Sequence, residues 1–309
     1  MSRAVATIGM FDGVHLGHRD LLRHLRQESE QSGSRSLVIT FSNHPLSLIR
    51  PEIAPKLITT AEEKRNLLFS EGVDTVAILE FTPRLRAMTA HEYICSLKYE
   101  YDVETIILGF NNRFGSDTGL TFEDYVEIGK SEGIKVIREP EYLVDGIKVN
   151  STIVRNHIES GKIEMANRLL GCDFSLTGTV VYGKQLGRTI GYPTANVEVM
   201  NENKIIPGRG VYACYATMNK GVRYPAMVNI GHRPTVDGKN GALSIEAHII
   251  GVADKLYGKR ITLSFCHFLR HEQKFSSLEE LKRQLEKDKI ETIGKLFDVE
   301  NRELYSENR

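Results

Sequence analysis

The sequence has no tryptophan, no excess charge of either sign and no long hydrophobic run. Forty Lys and Arg residues balance forty Asp and Glu residues in a chain of 309. This balance argues against a dedicated nucleic-acid binder, because such proteins usually carry a basic excess. We find no stretch of about 18 apolar residues that could span a bilayer. The apolar run near the start of the sequence ends at Gly9. It is too short for the apolar region of a signal peptide.

Cysteine is scarce and scattered. Cys95, Cys172, Cys214 and Cys266 form no C-x-x-C pair, a pattern that suits reduced thiols in a cytoplasm. The 41% of hydrophobic and 26% of charged residues are ordinary for a globular protein, which excludes disordered and fibrous classes. The length favours two domains. A cytoplasmic enzyme that binds neither nucleic acid nor membrane is therefore expected.

The first half alternates short apolar runs with helical segments. We expect buried strands at residues 5–8, 37–41, 76–79, 105–108 and 135–137. We expect helices between them at residues 16–32, 61–71, 90–99 and 122–133. Apolar runs without polar alternation indicate strands that helices cover on both faces. The pattern predicts a doubly wound, Rossmann-like α/β domain whose ligand lies at the carboxyl ends of the strands.

The second half is β-rich, with Gly and Pro between the apolar runs. We expect strands at residues 176–182, 211–218, 222–230, 243–250 and 261–268, with turns at 219–221 and 237–241. Five or six such strands predict a small antiparallel β-barrel. A capping-box match begins a terminal helix that extends to about Phe297. A seam after the helix at 163–170 divides the chain into domains at 1–172 and 173–297, followed by a polar tail at 298–309.

A glycine-rich segment, Gly9-Met-Phe-Asp-Gly-Val-His-Leu-Gly-His18, follows the first predicted strand. In a doubly wound fold this turn is the usual place for a bound phosphate, and its glycines let the backbone approach a ligand closely. His15 and His18 at the helix start favour negative charge on a transferred phosphate. The alternatives are a His-x-x-His metal pair, for which no third ligand is visible nearby, or two surface histidines.

A second candidate, Asn150-Ser-Thr-Ile-Val-Arg155, begins another predicted helix. Small hydroxyls with an arginine one turn later are suited to binding phosphate oxygens. The hydroxyls are equally compatible with N-caps, and Arg155 with a surface charge.

Together, these motifs resemble the H-x-G-H nucleotidylyltransferase superfamily, with residues 150–155 in place of its I-S-S-T-x-x-R signature. The first half is similar to the adenylyltransferase half of the bacterial bifunctional FAD synthetases, and residues 11–15, 40–45 and 109–115 match. Asn111 stands where that family usually has Asp, and Asn112 where it has Phe. The lost charge and ring affect contacts to flavin or ATP rather than the reaction class.

The segment from Gly178 to Asn196 is glycine-rich and cationic, which suits a polyphosphate. It is not a Walker A sequence. Thr194 and Asn196 offer hard oxygen ligands two residues apart, appropriate for Mg²⁺. A basic turn before an edge strand is the alternative, which the Pro-Thr-Ala-Asn sequence disfavours.

The whole second half resembles the riboflavin kinase domain, with matches at residues 210–212, 229–235, 245–248, 256–258 and 269–275. The resemblance implies that Thr194 and Asn196 hold Mg²⁺–ATP and that Glu246 is the base for the ribityl 5′-hydroxyl. From the residues alone, Glu246 is equally an ion-pair partner of Arg233 or Arg270.

The predicted function is a bifunctional enzyme that phosphorylates riboflavin to FMN and then adenylylates FMN to FAD with release of pyrophosphate. Its partners would be riboflavin, FMN and ATP with Mg²⁺, and the chain would be a monomer or a weak homo-oligomer. Two alternatives stay open: a monofunctional riboflavin kinase with a weakened adenylyltransferase site, and a non-catalytic flavin-binding regulator.

The predicted site residues form five groups. The catalytic candidates are His15, His18 and Glu246. The adenylyltransferase phosphate ligands are Gly9, Phe11, Asp12, Gly13, Gly17, Ser151, Thr152 and Arg155. The kinase phosphate ligands are Gly178, Gly183, Lys184, Gly187 and Arg188. The flavin ligands are Asn111, Asn112 and Arg270, and the metal ligands are Thr194 and Asn196.

Overall fold

A computed structural model describes residues 3–183, 187, 190–218, 221–232, 243–252 and 256–306, with the backbone alone given from 298 onwards. The chain divides into two compact units, Met1–Ser151 and Thr152–Arg309. The predicted turn at 237–241 and most of that at 219–221 lie outside the described residues.

The first unit is built on a five-stranded parallel sheet of order β3-β2-β1-β4-β5. Its strands are β1 (Ala4–Ile8), β2 (Arg35–Phe41), β3 (Thr75–Leu79), β4 (Val103–Leu108) and β5 (Lys135–Arg138). The helices are α1 (Leu16–Ser32), α2 (Pro45–Ile49), α3 (Ala61–Ser70), α4 (Pro83–Ala87), α5 (Ala90–Tyr101) and α6 (Phe122–Ser131). The predicted doubly wound α/β fold is confirmed.

Both faces of the sheet are buried. Ala6 and Ile8 of β1 pack with α5 residues such as Ile94, whereas Val5 packs with Leu22 of α1 on the opposite side. This arrangement explains the apolar runs without polar alternation. The order of the strands reverses between β1 and β4, so the carboxyl ends of these two neighbours form the crevice where doubly wound folds bind ligands.

The helices α3, α5 and α6 begin with capping boxes. In each, a threonine side chain accepts a hydrogen bond from the third helical residue, whose carboxylate bonds the threonine N–H. These caps explain why the predicted starts at 61, 90 and 122 are correct. A small hairpin of β6 (Leu143–Val144) and β7 (Ile147–Lys148) was not predicted. Its turn residues Asp145 and Gly146 both have positive φ, as a tight two-residue hairpin requires.

The second unit is a closed antiparallel barrel of order β10-β11-β12-β9-β8-β13. The helices α7 (Ser151–Glu159), which begins at the last residue of the first unit, and α8 (Ile163–Leu170) precede it. The strands are β8 (Phe174–Val181), β9 (Ala195–Glu198), β10 (Gly210–Thr217), β11 (Arg223–His232), β12 (Leu243–Ile249) and β13 (Arg260–Arg270). The predicted barrel is confirmed, and β9 is a strand that the sequence analysis did not place.

The terminal helix α9 (Leu278–Ser306) packs outside β10, where the Tyr215 hydroxyl donates to the Leu296 carbonyl over 3.3 Å. Ser277 caps its start by accepting from the Glu280 N–H over 3.1 Å. The predicted end near Phe297 is wrong, because the helix continues to Ser306 through residues that include no Gly or Pro. Within the described residues, no helix is long and apolar enough to cross a membrane.

Candidate active sites

The first unit has a cavity of about 290 Å³ at the carboxyl ends of β1 and β4. This is the position that the doubly wound topology predicts for a ligand. The predicted residues that line it are Gly9, Phe11, His15, Gly17, His18, Asn111, Asn112 and Ser151. Asp12 and Gly13 do not belong to this lining.

His15 and His18 lie together at the start of α1. His15 is the N-cap, and its Nδ1 accepts a hydrogen bond from the His18 backbone N–H over 3.3 Å. Their rings stack with centroids 3.6 Å apart and planes 14° apart. Because His15 Nδ1 is the acceptor, the neutral ring carries its proton on Nε2.

The His18 ring is neutral near pH 7. Burial lowers its pKa well below the usual value, and the neighbouring His15 and Lys64 lower it further. Its Nδ1 is buried and has no hydrogen-bond partner among the described residues. This ring therefore offers a neutral hydrogen-bonding group rather than a fixed positive charge.

The turn before α1 holds an uncommon backbone conformation. Phe11 and Val14 have φ of 48° and 42°, in the left-handed region that non-glycine residues rarely occupy, and Gly13 has φ of 84°. Val14 is β-branched, which makes this conformation costly, on the order of 1–3 kcal/mol. Such a turn persists only where surrounding contacts hold it.

Asp12 supplies those contacts. Its carboxylate accepts from the backbone N–H groups of Ile58 (3.1 Å) and Thr59 (3.0 Å) and from the Thr59 hydroxyl (3.2 Å). The Thr59 Oγ1 in turn accepts from the Gly13 N–H over 3.0 Å. Asp12 is only 1% exposed. The buried carboxylate is thus an anchor of the loop.

Lys64 is a site residue that the sequence analysis missed. It is 1% exposed, and its ammonium donates to the carbonyls of Met10 (2.9 Å) and Phe41 (2.6 Å), which lie after β1 and at the end of β2. Burial lowers its pKa to about 8, although Asp12 opposes the shift. Its spacing of four residues from the buried Leu68 places a lysine on the apolar face of α3, a signal that could have identified it.

Ser151, Thr152 and Arg155 start helix α7, as predicted. The Ser151 hydroxyl donates to the Asp12 carbonyl of the glycine-rich turn over 3.0 Å, and both residues belong to the first unit. Thr152 is exposed and Arg155 is buried; both belong to the second unit.

The two asparagines that replace Asp and Phe lie after β4. Asn111 is exposed at the cavity. Asn112 is half-buried, and its side-chain amide donates to the carbonyl of Ile8 at the end of β1. The amide that stands in place of a ring therefore links the two strand ends that form the cavity.

The second unit has its own cavity of about 320 Å³. Of the predicted residues, it is lined by Gly187, Thr194, Glu246 and Arg270. Much of its wall is apolar and is formed by Ile190, Tyr192, Val211, Met227, Phe275, Leu278, Leu281 and Leu285. A cavity with apolar walls and a few polar groups suits a flat aromatic ligand.

Three polar residues form one row across the barrel beside this cavity. Glu246 on β12 pairs with Asn196 on β9 and with Asn229 on β11. Cross-strand neighbours in an antiparallel pair have Cβ atoms about 5 Å apart, so two carboxamides flank the Glu246 carboxylate. Asn229 lines the cavity and was not among the predicted site residues, although it lies in a matched segment.

The glycines near this site are required by close packing. A Cβ at Gly183 would lie 2.0 Å from Asn196 Nδ2, and one at Gly187 would lie 2.1 Å from the Tyr192 carbonyl oxygen. A Cβ at Gly178 would lie 2.5 Å from the Glu198 carbonyl oxygen, between β8 and β9. Lys184 and Arg188 lie outside the described residues.

Arg270 binds Asp288 of α9. Its Nε donates to Oδ1 over 2.9 Å and its Nη2 to Oδ2 over 2.7 Å, and Asp288 is 1% exposed. The alternative in which Arg270 pairs with Glu246 is therefore wrong, because the guanidinium meets a buried carboxylate on the helix instead. Arg233, the other suggested partner, lies outside the described residues.

Comparison with solved structures agrees with the two-unit fold. The crystal structure of a macrolide-efflux protein from Streptococcus pneumoniae has a TM-score of 0.86 and 30% sequence identity, covering 94% of each chain. That name belongs to the other protein, and the likeness to this chain is one of fold.

Family models and curated relatives identify the chain. The model of FAD synthetase matches residues 1–153, and that of riboflavin kinase matches residues 170–296. The bifunctional riboflavin kinase/FMN adenylyltransferase of Pseudomonas fluorescens is 37% identical, covering 92% of this chain and 90% of the relative. The protein of the same description from Bacillus subtilis (strain 168) is 33% identical, covering 94% and 92%. The chain belongs to the family of bifunctional riboflavin kinase/FMN adenylyltransferases, as its sequence motifs predict.

Proposed function

We propose that this chain makes FAD from riboflavin in two ATP-dependent steps, one in each unit. The second unit phosphorylates riboflavin to FMN, and the first transfers AMP from ATP to FMN and releases pyrophosphate. The observation that supports this proposal best is that each unit has its own cavity, with His15 and His18 lining one and Glu246 lining the other.

In adenylyl transfer, an oxygen of the FMN phosphate attacks the α-phosphorus of ATP. The new P–O bond forms as the bond to the bridging oxygen breaks and pyrophosphate leaves. The nucleophile is already ionised near pH 7, so no strong base is required and catalysis rests on positioning and charge stabilisation. In this proposal His15 and His18 donate hydrogen bonds to phosphate oxygens. Gly9, Gly17 and Ser151 stay predicted phosphate ligands of this unit. Thr152 and Arg155, which belong to the second unit, stay predictions from the sequence alone.

Asp12, Gly13 and Lys64 support the glycine-rich turn rather than bind the phosphate directly. Asp12 and Gly13 both form hydrogen bonds with Thr59, which holds the turn in place. The Lys64 ammonium donates a hydrogen bond to the Met10 carbonyl of the same turn. We infer that these groups position the histidines rather than touch ATP. This refines the roles expected for Asp12 and Gly13 as phosphate ligands.

In the kinase step, the ribityl 5′-hydroxyl attacks the γ-phosphorus and ADP leaves. Glu246 accepts the hydroxyl proton, and the carboxamides of Asn196 and Asn229 flank that carboxylate. The flavin ring would occupy the apolar part of the cavity. Arg270 shapes this wall through its bond to Asp288, so its proposed flavin contact is made with a guanidinium that is already held in place.

The residues present fit a magnesium ion bound with ATP. Thr194 and Asn196 are two residues apart and carry hard oxygen donors. The Asn196 amide packs so closely against Gly183 that no Cβ fits there. Magnesium would supply charge neutralisation of the phosphates when bound. The cytoplasm is the proposed compartment, since free thiols persist there.

A product assay tests this proposal against the two alternatives. Purified protein is supplied with Mg²⁺–ATP and either riboflavin or FMN. We expect FMN and then FAD from riboflavin, and FAD from FMN alone. A monofunctional kinase would stop at FMN and leave supplied FMN unchanged, and a flavin-binding regulator would bind flavin without consuming ATP.

A further inference from the structure

A mixed-ligand cluster lies on the first unit, outside the residues that line its cavity. His91 and Cys95 are one turn apart on α5, and Glu132 directly follows α6. Each residue offers one ligand atom, and these atoms all lie within 4.8 Å of one another. It is the only such group of three or more His, Cys, Asp or Glu residues in the described part of the chain.

The distances in this cluster resemble those around a tetrahedral ion. His91 Nε2 is 3.1 Å from Glu132 Oε1 and 3.8 Å from Cys95 Sγ. Zinc–ligand bonds of about 2.0–2.3 Å at tetrahedral angles place neighbouring ligand atoms about 3.3–3.6 Å apart. Both distances lie within a few tenths of an ångström of that range, and the third pair, Cys95 and Glu132, lies within 4.8 Å.

Lys98 of α5 also contacts Glu132. Its ammonium donates to the Glu132 backbone carbonyl and lies 3.8 Å from Oε2. The Oε1 atom is left facing His91, as expected where a neighbouring side chain orients a ligating carboxylate.

We propose that His91, Cys95 and Glu132 bind one zinc ion, with water as the fourth ligand. Thiolate and imidazole together favour zinc over magnesium, which prefers oxygen ligands. Zinc binds the Cys95 sulfur as a thiolate, so the thiol proton passes to solvent on binding.

The ion would join α5 to the end of α6. The start of α5 is already fixed to the loop after β4, because the Ala90 N–H donates to Asp117 Oδ2 over 2.5 Å. The metal would fix the same helix to a different element, because Glu132 directly follows α6. We therefore expect zinc to raise the unfolding temperature of the first unit.

Cobalt titration of the full-length chain, without ATP or Mg²⁺, tests the site because a thiolate ligand gives Co²⁺ an intense charge-transfer band. We expect one equivalent of Co²⁺ with this band, and its displacement by Zn²⁺. Cys95→Ser should abolish the band, and His91→Ala should weaken zinc binding at least about 10-fold, since even supporting groups cost that much.

Cys172→Ser is the matched control, since Cys172 is also a partly buried cysteine outside any disulfide but is not part of the cluster. It should keep both the band and the affinity. Riboflavin phosphorylation and FMN adenylylation by each variant report whether it is folded. No band in the wild-type chain, or an undiminished band in folded Cys95→Ser, would overturn the proposal.

Discussion

His15 caps the helix that carries His18, and the two imidazole rings stack with centroids 3.6 Å apart. One side chain therefore has a structural and a chemical role at the same turn. The backbone position of His18 depends on the cap, because its N–H is the donor to His15 Nδ1. The two histidines are a coupled pair rather than two independent donors.

Substitution at His15 should separate these roles. Asparagine is a good N-cap, but its side chain is too short to place a donor where the imidazole Nε2–H lies, so His15→Asn should keep stability while FMN adenylylation falls. His15→Ala should lower both the folding stability and the rate of FMN adenylylation, and loss of the N-cap should cost about 1 kcal/mol. Thermal unfolding and initial rates of FAD formation measure the two effects. Equal stability of the two variants would contradict the capping role.

The Thr59 hydroxyl should affect the rate of adenylylation, because its hydrogen bonds hold the turn that precedes α1. Thr59→Val keeps the shape of the side chain but removes the hydroxyl that joins Asp12 to the Gly13 N–H. Leaving buried polar groups unsatisfied costs about 1–3 kcal/mol, so we expect lower stability and slower FAD formation with unchanged riboflavin phosphorylation. Thr59→Ser keeps the hydroxyl and is the control. If valine and serine behave alike, the hydroxyl does not hold the loop.

Lys64 should leave a signature in the pH dependence of stability. Its pKa is 10.5 in an unfolded chain and about 8 here, so the folded state loses this proton first as the pH rises. Relative to Lys64→Met, wild-type stability should therefore increase between pH 8 and 10.5, by about 3 kcal/mol in total. Denaturant unfolding of both proteins across this range measures the difference. A constant difference would contradict the depressed pKa.

The same variant should also affect one activity. Lys64→Met removes the ammonium that donates hydrogen bonds to the Met10 and Phe41 carbonyls, so the turn is held less firmly. FAD formation should therefore fall about 10–100-fold, whereas FMN formation should be unchanged. Arg65→Met is the matched control, because Arg65 is exposed on the same helix. Equal losses in the two variants would indicate damage to α3 rather than loss of this support.

Gly183 should be intolerant of even one added carbon. In Gly183→Ala the Cβ would collide with the Asn196 amide, which must move away from its place beside Glu246. Riboflavin phosphorylation should fall at least about 10-fold, while FMN adenylylation is unchanged. Gly294→Ala adds a carbon that meets no described atom within 4 Å outside the adjoining turns of its own helix, and it should leave both rates unchanged. A fully active Gly183→Ala variant would show that this close contact does not position Asn196.

The sequence patterns predicted the regular elements well because local signals agreed with tertiary structure. Apolar runs located the parallel strands, and the helix-compatible segments between them located α3, α5 and α6, whose threonine caps the structure then revealed. The strand β9 was missed because Ala195–Glu198 is short and closely follows Pro193, so only pairing with β8 and β12 makes it a strand. The extension of α9 had no apolar periodicity to mark it.

At the two sites, the sequence motifs identified the chemically active side chains. Their hydrogen-bond partners depend on the fold. His15, His18 and Glu246 were identified from motifs, and the structure places them at cavities. The anchoring of Asp12 by Thr59, the buried ammonium of Lys64 and the pairing of Arg270 with Asp288 join residues far apart in the chain. No local pattern encodes such partners, and they alter the expected role of each side chain.

The central claim is that two separate sites perform two reactions. It is tested most directly by measuring FMN and FAD formation in folded His18→Ala and Glu246→Ala proteins. We predict that His18→Ala abolishes FAD formation from FMN and leaves riboflavin phosphorylation largely intact. Glu246→Ala should abolish FMN formation from riboflavin and still adenylylate supplied FMN. Loss of both activities in either folded variant would contradict the account.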